Sequence, residues 1–248
     1  MAEWQRAIIV GASSGIGEAL ALELAKQGSE VALVARREGE LRRVADRILA
    51  QNPGGKALTY AHDVKHYAEV ATLFPQIVRD LGGLDLIVYA SGILPHTAEG
   101  EYNFDKDYET IEVNLLGGVA WINEAAQRFA KAEAGTIVGL SSVAGERGRY
   151  SMPIYCTSKA ALNTYLEAIR NRVARHGVKV ATVKLGPVKT PMTDGLKMPL
   201  MIPVEKAVEG ILAAARHGAG NAYVPGVWRF IFLILRNVPS FIFRKLKL

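Results

Sequence analysis

Three polar side chains in one short stretch could do chemistry together. Residues 141–162 read SSVAGERGRYSMPIYCTSKAAL, placing Ser142 ahead of Tyr155, with Lys159 four residues further on. On a helix, positions four apart share a face, so the phenol and the ammonium would be neighbours. A free phenol has a pKa of about 10, too high for efficient proton exchange near neutrality. An adjacent ammonium stabilises the phenolate, and each unit of depression corresponds to about 1.4 kcal/mol. A serine hydroxyl arriving from the end of a strand can hold a substrate oxygen beside that phenol. Such a set would pass a proton to or from a carbonyl or alcohol oxygen. Taken alone, Tyr-x-x-x-Lys usually marks an ordinary helix face, so the surrounding elements decide.

Those elements alternate. Short β-branched runs at 6–10, 30–35, 57–61, 84–90, 136–140, 178–185 and 222–225 predict strands. Between them, amphipathic stretches at 15–27, 38–51, 66–81, 108–132, 155–175 and 203–216 predict helices. Strands apolar throughout and separated by helices imply parallel pairing with both sheet faces covered. No repeat, linker or low-complexity stretch divides the chain. The expectation is a single α/β domain over 1–226, a Rossmann-type doubly wound parallel sheet in three α/β/α layers, followed by a separate tail at 227–248.

The first strand runs into GASSGIG, residues 11–17, which opens a helix. A pyrophosphate needs backbone N–H donors, room for its oxygens and a favourable helix dipole. Gly11 would permit the tight turn, Gly15 the close approach of phosphate and Gly17 the packing of helix on strand, with Ser13, Ser14 and Ile16 lining the same loop. The second strand ends VARREGE. A carboxylate there would suit the free ribose hydroxyls of NAD, whereas Arg36 and Arg37 suit a 2′-phosphate in charge and geometry. NADP(H) is therefore expected over NAD(H), with Arg36 as the principal contact.

The glycine spacing, Gly-x-x-x-Gly-x-Gly, together with Asp63-Val64, Asn114, Ser142 and Tyr155-x-x-x-Lys159, resembles the short-chain dehydrogenase/reductase family. The likeness runs to about Pro225. It implies that Asn114, Ser142, Tyr155 and Lys159 form the catalytic set, Asn114 anchoring a water that links the lysine to solvent. It further implies that Lys159 bonds the nicotinamide ribose, that Asp63 caps the adenine beside Val64, and that Ala90 and Gly92 lie against the cofactor. The segment LGPVKT, 185–190, is similar to the family's nicotinamide loop, which brings in Val188 and Thr190. Two departures stand out: Leu185 replaces the usual proline, and Tyr89-Ala90-Ser91-Gly92 replaces Asn-Asn-Ala-Gly. The second removes side-chain hydrogen bonds that usually stiffen the centre of the sheet. The family also implies a homodimer or homotetramer built on its long fourth and fifth helices.

After Thr190, PMTDGLKMPLMIP (191–203) is strongly apolar, as a lid over a bulky hydrophobic carbonyl would be or as residues packed on the core would be. The tail VWRFIFLILRNVPSFIFRKLKL places Val227, Phe230, Ile231, Ile234, Leu235 and Val238 at intervals of three and four, with Arg229 and Arg236 on another face and Pro239 breaking the helix. This is the pattern of a helix lying in an anionic membrane interface, with Trp228 at the boundary. Its rival is a helix closing the active site or a subunit contact. The tail resembles the basic-aromatic tails of some bacterial family members, which implies a lipid-linked substrate such as a keto sugar on polyprenyl phosphate.

The net charge of +6 does not signal nucleic acid: five of the 30 basic residues and none of the 24 acidic ones fall between Tyr223 and Leu248, leaving the rest almost neutral. Cys156 is the only cysteine, so no disulfide forms within the chain. The N-terminus does not read as a signal peptide, and no run has the roughly 18 apolar residues of a membrane span. Location in a bacterial cytoplasm, peripheral on the inner membrane face, is the expectation. His62 and His66 have a spacing that could bind metal, but no third ligand is evident and none is expected. Glu146, Arg147 and Arg149 read as solvated loop charges, with contact to a polar substrate as the alternative.

The reading is an NADPH-dependent reductase of a hydrophobic or lipid-linked carbonyl, reversible to oxidation of a secondary alcohol. Against it stand a soluble reductase of small metabolites with a structural tail, and a non-catalytic dinucleotide-binding scaffold.

Overall fold

A computed structural model describes residues 2–196, 198–218 and 220–246. Lys197 in the apolar loop, Ala219, Met1 and the last two residues of the tail lie outside the described residues. Seven strands, β1 (Arg6–Val10), β2 (Glu30–Ala35), β3 (Ala57–Ala61), β4 (Leu86–Tyr89), β5 (Thr136–Ser142), β6 (Lys179–Leu185) and β7 (Asn221–Val224), form one sheet. Their order is β3-β2-β1-β4-β5-β6-β7, and every pair is parallel.

Helices α1 (Gly15–Lys26), α2 (Glu38–Gln51) and α7 (Val204–His217) bury Leu20, Leu41 and Ile211 against one sheet face. Helices α3 (Tyr67–Leu81), α5 (Gly117–Ala132) and α6 (Pro153–Val173) bury Phe74, Trp121 and Leu166 against the other. Both faces being covered explains why the central strands are apolar at every position. The order reverses between β1 and β4, so the carboxyl ends of these strands open a crevice where ligands of such sheets bind.

The helix expected at 108–132 is three pieces. Helix α4 (Phe104–Ile111) begins at Asn103, whose side chain accepts from the Lys106 amide; a π turn (Glu112–Leu116) follows, then α5. Helix α6 starts two residues earlier than expected, with Pro153 in its first turn, where a missing N–H costs nothing. The β4 run is shorter than 84–90.

The tail forms α8 (Val227–Asn237) and α9 (Ser240–Phe243), broken at Pro239 as expected. Its apolar pattern is divided differently. Trp228 (7% exposed) and Phe232 (1%) pack with Val143 on the body of the protein, joined by half-buried Ile231 and Leu235. Val227, Phe230, Leu233 and Ile234 face outward. Trp228 is therefore not a boundary residue of an exposed helix but part of the core.

Candidate active site

The glycine loop ends β1 at the switch point. Gly11 has φ of +96°, and a Cβ there would lie 2.6 Å from the Ser91 amide nitrogen on the neighbouring crossover. A Cβ at Gly17 would lie 2.1 Å from the Gly11 carbonyl oxygen, so the third glycine is required by the folding of the loop on itself. The loop borders a cleft of about 960 Å³ lined by Gly11, Ser13, Ser14, Gly15, Ile16, Gly17, Arg36, Arg37, Val64, Ala90, Gly92 and Thr190.

Arg36 and Arg37 part company here. The Arg37 guanidinium donates to the Ser13 and Ser14 hydroxyls at 3.0 and 2.9 Å, while Arg36 leans toward Asp63 at 3.9 Å. Adjacent residues leaving a strand point to opposite sides, so only one could reach the glycine loop. Both arginines line the cleft, and Arg37 is the one bonded to the serines of the glycine loop. Asp63 accepts from the Lys65 amide, and it is buried His62, against Trp121, that lines the cleft beside Val64. Sequence reasoning had weighed His62 only as a metal ligand.

A second cleft of about 970 Å³ continues from the first, sharing Ile16, Ala90, Gly92, Thr190 and Met192. Ser142 ends β5, and Tyr155 and Lys159 project from the first turns of α6; all three line this cleft. The Ser142 hydroxyl donates to the Leu185 carbonyl (3.3 Å), accepts from the Ala144 amide (3.1 Å) and lines the same cleft as the Tyr155 phenol. The Lys159 ammonium, 4% exposed, donates to the Leu140 carbonyl at 3.0 Å and lies 5.8 Å from the Tyr155 ring centre.

Burial raises the Tyr155 phenol above its usual range, with Ser142 and the charge of Arg149 acting in the opposite direction. Burial pulls Lys159 down to about 8. The expected depression of the phenol by Lys159 is thus outweighed by desolvation of both groups.

Asn114 sits in the π turn, fully buried. Its carbonyl oxygen accepts from the Ile93 amide (2.7 Å), and its amide donates to the Ile93 carbonyl (3.0 Å) and the Ser158 hydroxyl (3.1 Å). A Cβ on Gly92 would meet Asn114 Oδ1 at 3.3 Å and Lys159 Nζ at 3.5 Å, so both groups close on the space that this glycine leaves open. A π turn displaces the helix by one residue and recurs at functional sites. Here it also explains Tyr89. The Tyr89 phenol, fully buried, donates to the Val113 carbonyl at 2.5 Å. Side-chain bonds lost at the centre of the sheet are replaced by this one, and Gly117 and Gly118 make room for the ring.

The apolar end of the cleft is built from Leu94, Val143, Met152, Val188, Met192, Met198 and Trp228. The loop after Thr190 therefore does cover the cleft, while Leu196 and Leu200 point outward. The Trp228 indole lies where a Cβ of Gly186 would be, its nitrogen 2.0 Å from that position, which reserves 186 for glycine.

Loop residues expected to be solvated instead clasp the tail. Arg147 donates to the carbonyls of Leu235 and Arg236 and stacks on Phe243 at 3.8 Å. Arg149 lies 5.5 Å from the Phe232 ring centre. Glu146, almost wholly buried, is paired with Lys184 (2.5 Å) and Arg236 (3.4 Å). The tail is thereby tied to the loop joining Ser142 to Tyr155. The rings of His62 and His66 are 6.3 Å apart, and no group of three metal-ligating side chains occurs among the described residues. No helix of the described residues is long and apolar enough to cross a membrane.

The profile of the short chain dehydrogenase family matches residues 5–199. The chain is a short-chain dehydrogenase/reductase. An uncharacterised oxidoreductase of Staphylococcus epidermidis is 31% identical over 189 residues, covering 76% of this chain and 80% of that protein. Another, from Mycobacterium tuberculosis, is 29% identical over 223 residues, covering 89% and 88%. In structure, a short-chain type dehydrogenase/reductase from Mycobacterium marinum superposes with a TM-score of 0.83 at 30% identity, over 90% of this chain and 95% of that one. This short-chain dehydrogenase/reductase thus belongs to an oxidoreductase family that binds a nicotinamide dinucleotide, and its glycine cradle and cationic cleft fit such a group.

Proposed function

We propose that this short-chain dehydrogenase/reductase reduces the carbonyl of a hydrophobic or lipid-linked compound with NADPH, or oxidises the corresponding secondary alcohol in reverse. The observation that carries this reading is the meeting of Ser142, Tyr155 and Lys159 in one apolar cleft that continues into a glycine-rich cleft bearing Arg37. The bound nicotinamide would supply or accept the hydride. Ser142 would hold the substrate oxygen while Tyr155 gives it the proton, producing the alcohol. Lys159, beside Gly92 and Asn114, would stabilise the phenolate left behind and bond the nicotinamide ribose. The positive charge of an oxidised nicotinamide would oppose the burial that raises the phenol. The Ser13–Ser14 loop and Arg37 would hold the pyrophosphate and 2′-phosphate, and Arg36 with Asp63 would border the adenine.

A non-catalytic scaffold would have no use for a desolvated lysine beside a phenol and a serine in an apolar cleft, which disfavours it. The outward face of α8 and α9 carries exposed Phe230, Ile234 and Phe241 among Arg229, Arg236, Arg244 and Lys245, and no acid. This supports a peripheral position on an anionic membrane, on the cytoplasmic side. The inward face, packed through Trp228 and Phe232, favours a second reading in which the tail only completes the pocket of a soluble ketone reductase. Assembly as a homodimer or homotetramer belongs to the same proposal.

NADPH and NADH oxidation measured over ketones from small to long-chain separates these readings. Arg37→Asp should swing the cofactor preference toward NADH by about a hundredfold, from loss of charge-assisted bonds and added repulsion; an unchanged ratio would place the phosphate elsewhere. Flotation with phosphatidylglycerol vesicles should be lost in Phe230→Glu/Ile234→Glu, and retention would leave the tail a structural element.

A further inference from the structure

Beyond the two clefts, a third opening of about 880 Å³ lies between the catalytic loop and the tail, lined by Arg147, Arg149, Tyr150, Ser240, Phe243 and Arg244. Arg149 lines both this opening and the cleft that holds Tyr155, so the two meet at its guanidinium. It is half-buried against Phe232. Among the described residues, no carboxylate lies within 4 Å of the guanidinium of Arg147, Arg149 or Arg244. The nearby acids are engaged by others: Glu146 by Lys184 and Arg236, and Glu99 by the Tyr150 hydroxyl at 2.9 Å. Arg147 has its partners in the tail carbonyls, which leaves half-buried Arg149 and exposed Arg244 lining the opening with no carboxylate partner among the described residues. An anion would offset the partial loss of water at half-buried Arg149, with Arg244 on the exposed edge of the same opening. The charge of Arg149 already acts on the Tyr155 phenol, so an anion seated here lies close to the reacting oxygen.

We propose that Arg149 and Arg244, with Arg147 and Ser240 beside them, form a binding site for a phosphate-type oxyanion at the outer end of the substrate cleft. Planar guanidinium forks match phosphate oxygens in pairs, and the wall of the opening adds a hydroxyl donor from Ser240. The inference rests on the reductase reading, because it assigns the oxyanion to the substrate: a ketone whose carbon skeleton also carries a phosphate ester. A lipid headgroup offers the same chemistry to the same arginines, and the experiment separates the two sources.

The protein is first saturated with NADP+, so that added phosphate cannot enter the cofactor cleft, and is then titrated calorimetrically with octyl phosphate and with octanol. Octyl phosphate should bind at least tenfold more tightly than octanol. Arg149→Gln and Arg244→Gln should each remove about tenfold of that affinity, and Arg149→Lys should recover part of it. NADP+ affinity should not change in Arg244→Gln. If monomeric octyl phosphate gains nothing over octanol, yet the two glutamine variants abolish binding to phosphatidylglycerol vesicles, the oxyanion site stands with a lipid headgroup as its source. Equal affinity for octyl phosphate and octanol, together with vesicle binding indifferent to both variants, overturns the proposal. Failure of NADP+ to bind at all would instead count against the reductase reading, and the octyl phosphate titration would still judge the arginines.

Discussion

Replacing Phe232 by alanine should detach the tail without unfolding the sheet. The ring is 1% exposed and packs with Trp228 and Val143 in a small cluster separate from the two cores that flank the sheet. Removing a buried phenylalanine costs about 3–5 kcal/mol. Among the described residues this cluster, the Trp228 contact with Gly186, Arg149 over Phe232, the Arg147 bonds to Leu235 and Arg236, and the Glu146–Arg236 pair hold α8 down. A terminal helix with so few anchors opens locally at a lower free energy than the whole domain. Three kcal/mol corresponds to a little over two powers of ten in the opening equilibrium. Hydrogen exchange of the 228–237 amides should therefore accelerate by about a hundredfold or until it reaches the rate of the open helix, while β1, β4 and β5 stay protected. With Trp228 withdrawn from the cleft, KM for a long-chain ketone should rise more than kcat falls. Unchanged exchange in α8, or equal loss of protection in α8 and the central strands, would refute the reasoning.

Tyr89→Phe removes the one side-chain donor to the Val113 carbonyl among the described residues, and loss of such a bond costs about 0.5–1.5 kcal/mol. Denaturant midpoints should fall accordingly with the slope unchanged, and a midpoint within error of wild type would deny Tyr89 its role in fixing the π turn. Lys159 titrates near 8 when folded against an ordinary 10.5, so the unfolded chain binds more protons between those values and stability gained from this group rises with pH across the interval. Below pH 8 the buried ammonium costs about 3 kcal/mol. Above pH 10 the raised Tyr155 phenol works in the opposite direction, which confines the clean window to pH 8–10. Lys159→Met should flatten the stability curve of the cofactor-free protein in that window, and an unaltered slope would assign it to other groups.

Much of the fold was legible because its signals are local. Strands β1, β2 and β3 are bounded by glycine, charge or turn residues and apolar between them, and they occur where the periodicity put them. The π turn was not legible: one extra residue in a helix leaves the three-and-four spacing nearly intact, so 108–132 read as continuous. That Ser142, Tyr155 and Lys159 share one cleft followed from the motif, but which of Arg36 and Arg37 bonds the glycine-loop serines did not, since it depends on which side of the chain faces that loop. The tail shows the same limit most clearly. Its sequence is apolar on more than one face, and contacts with distant residues, Val143, Gly186 and the arginines of the catalytic loop, accompany the inward turn of Trp228 and Phe232. Nothing in the neighbouring residues of 146–149 announces a partner ninety positions away.

The account stands or falls on proton donation by Tyr155. Single-turnover and steady-state oxidation of NADPH should be followed with a hydrophobic ketone, comparing wild type and Tyr155→Phe, with NADPH binding measured separately by fluorescence. The account predicts that the variant binds NADPH as wild type does and loses about two to four orders of magnitude in turnover. Near-normal turnover by Tyr155→Phe would contradict it and remove the phenol from the chemistry.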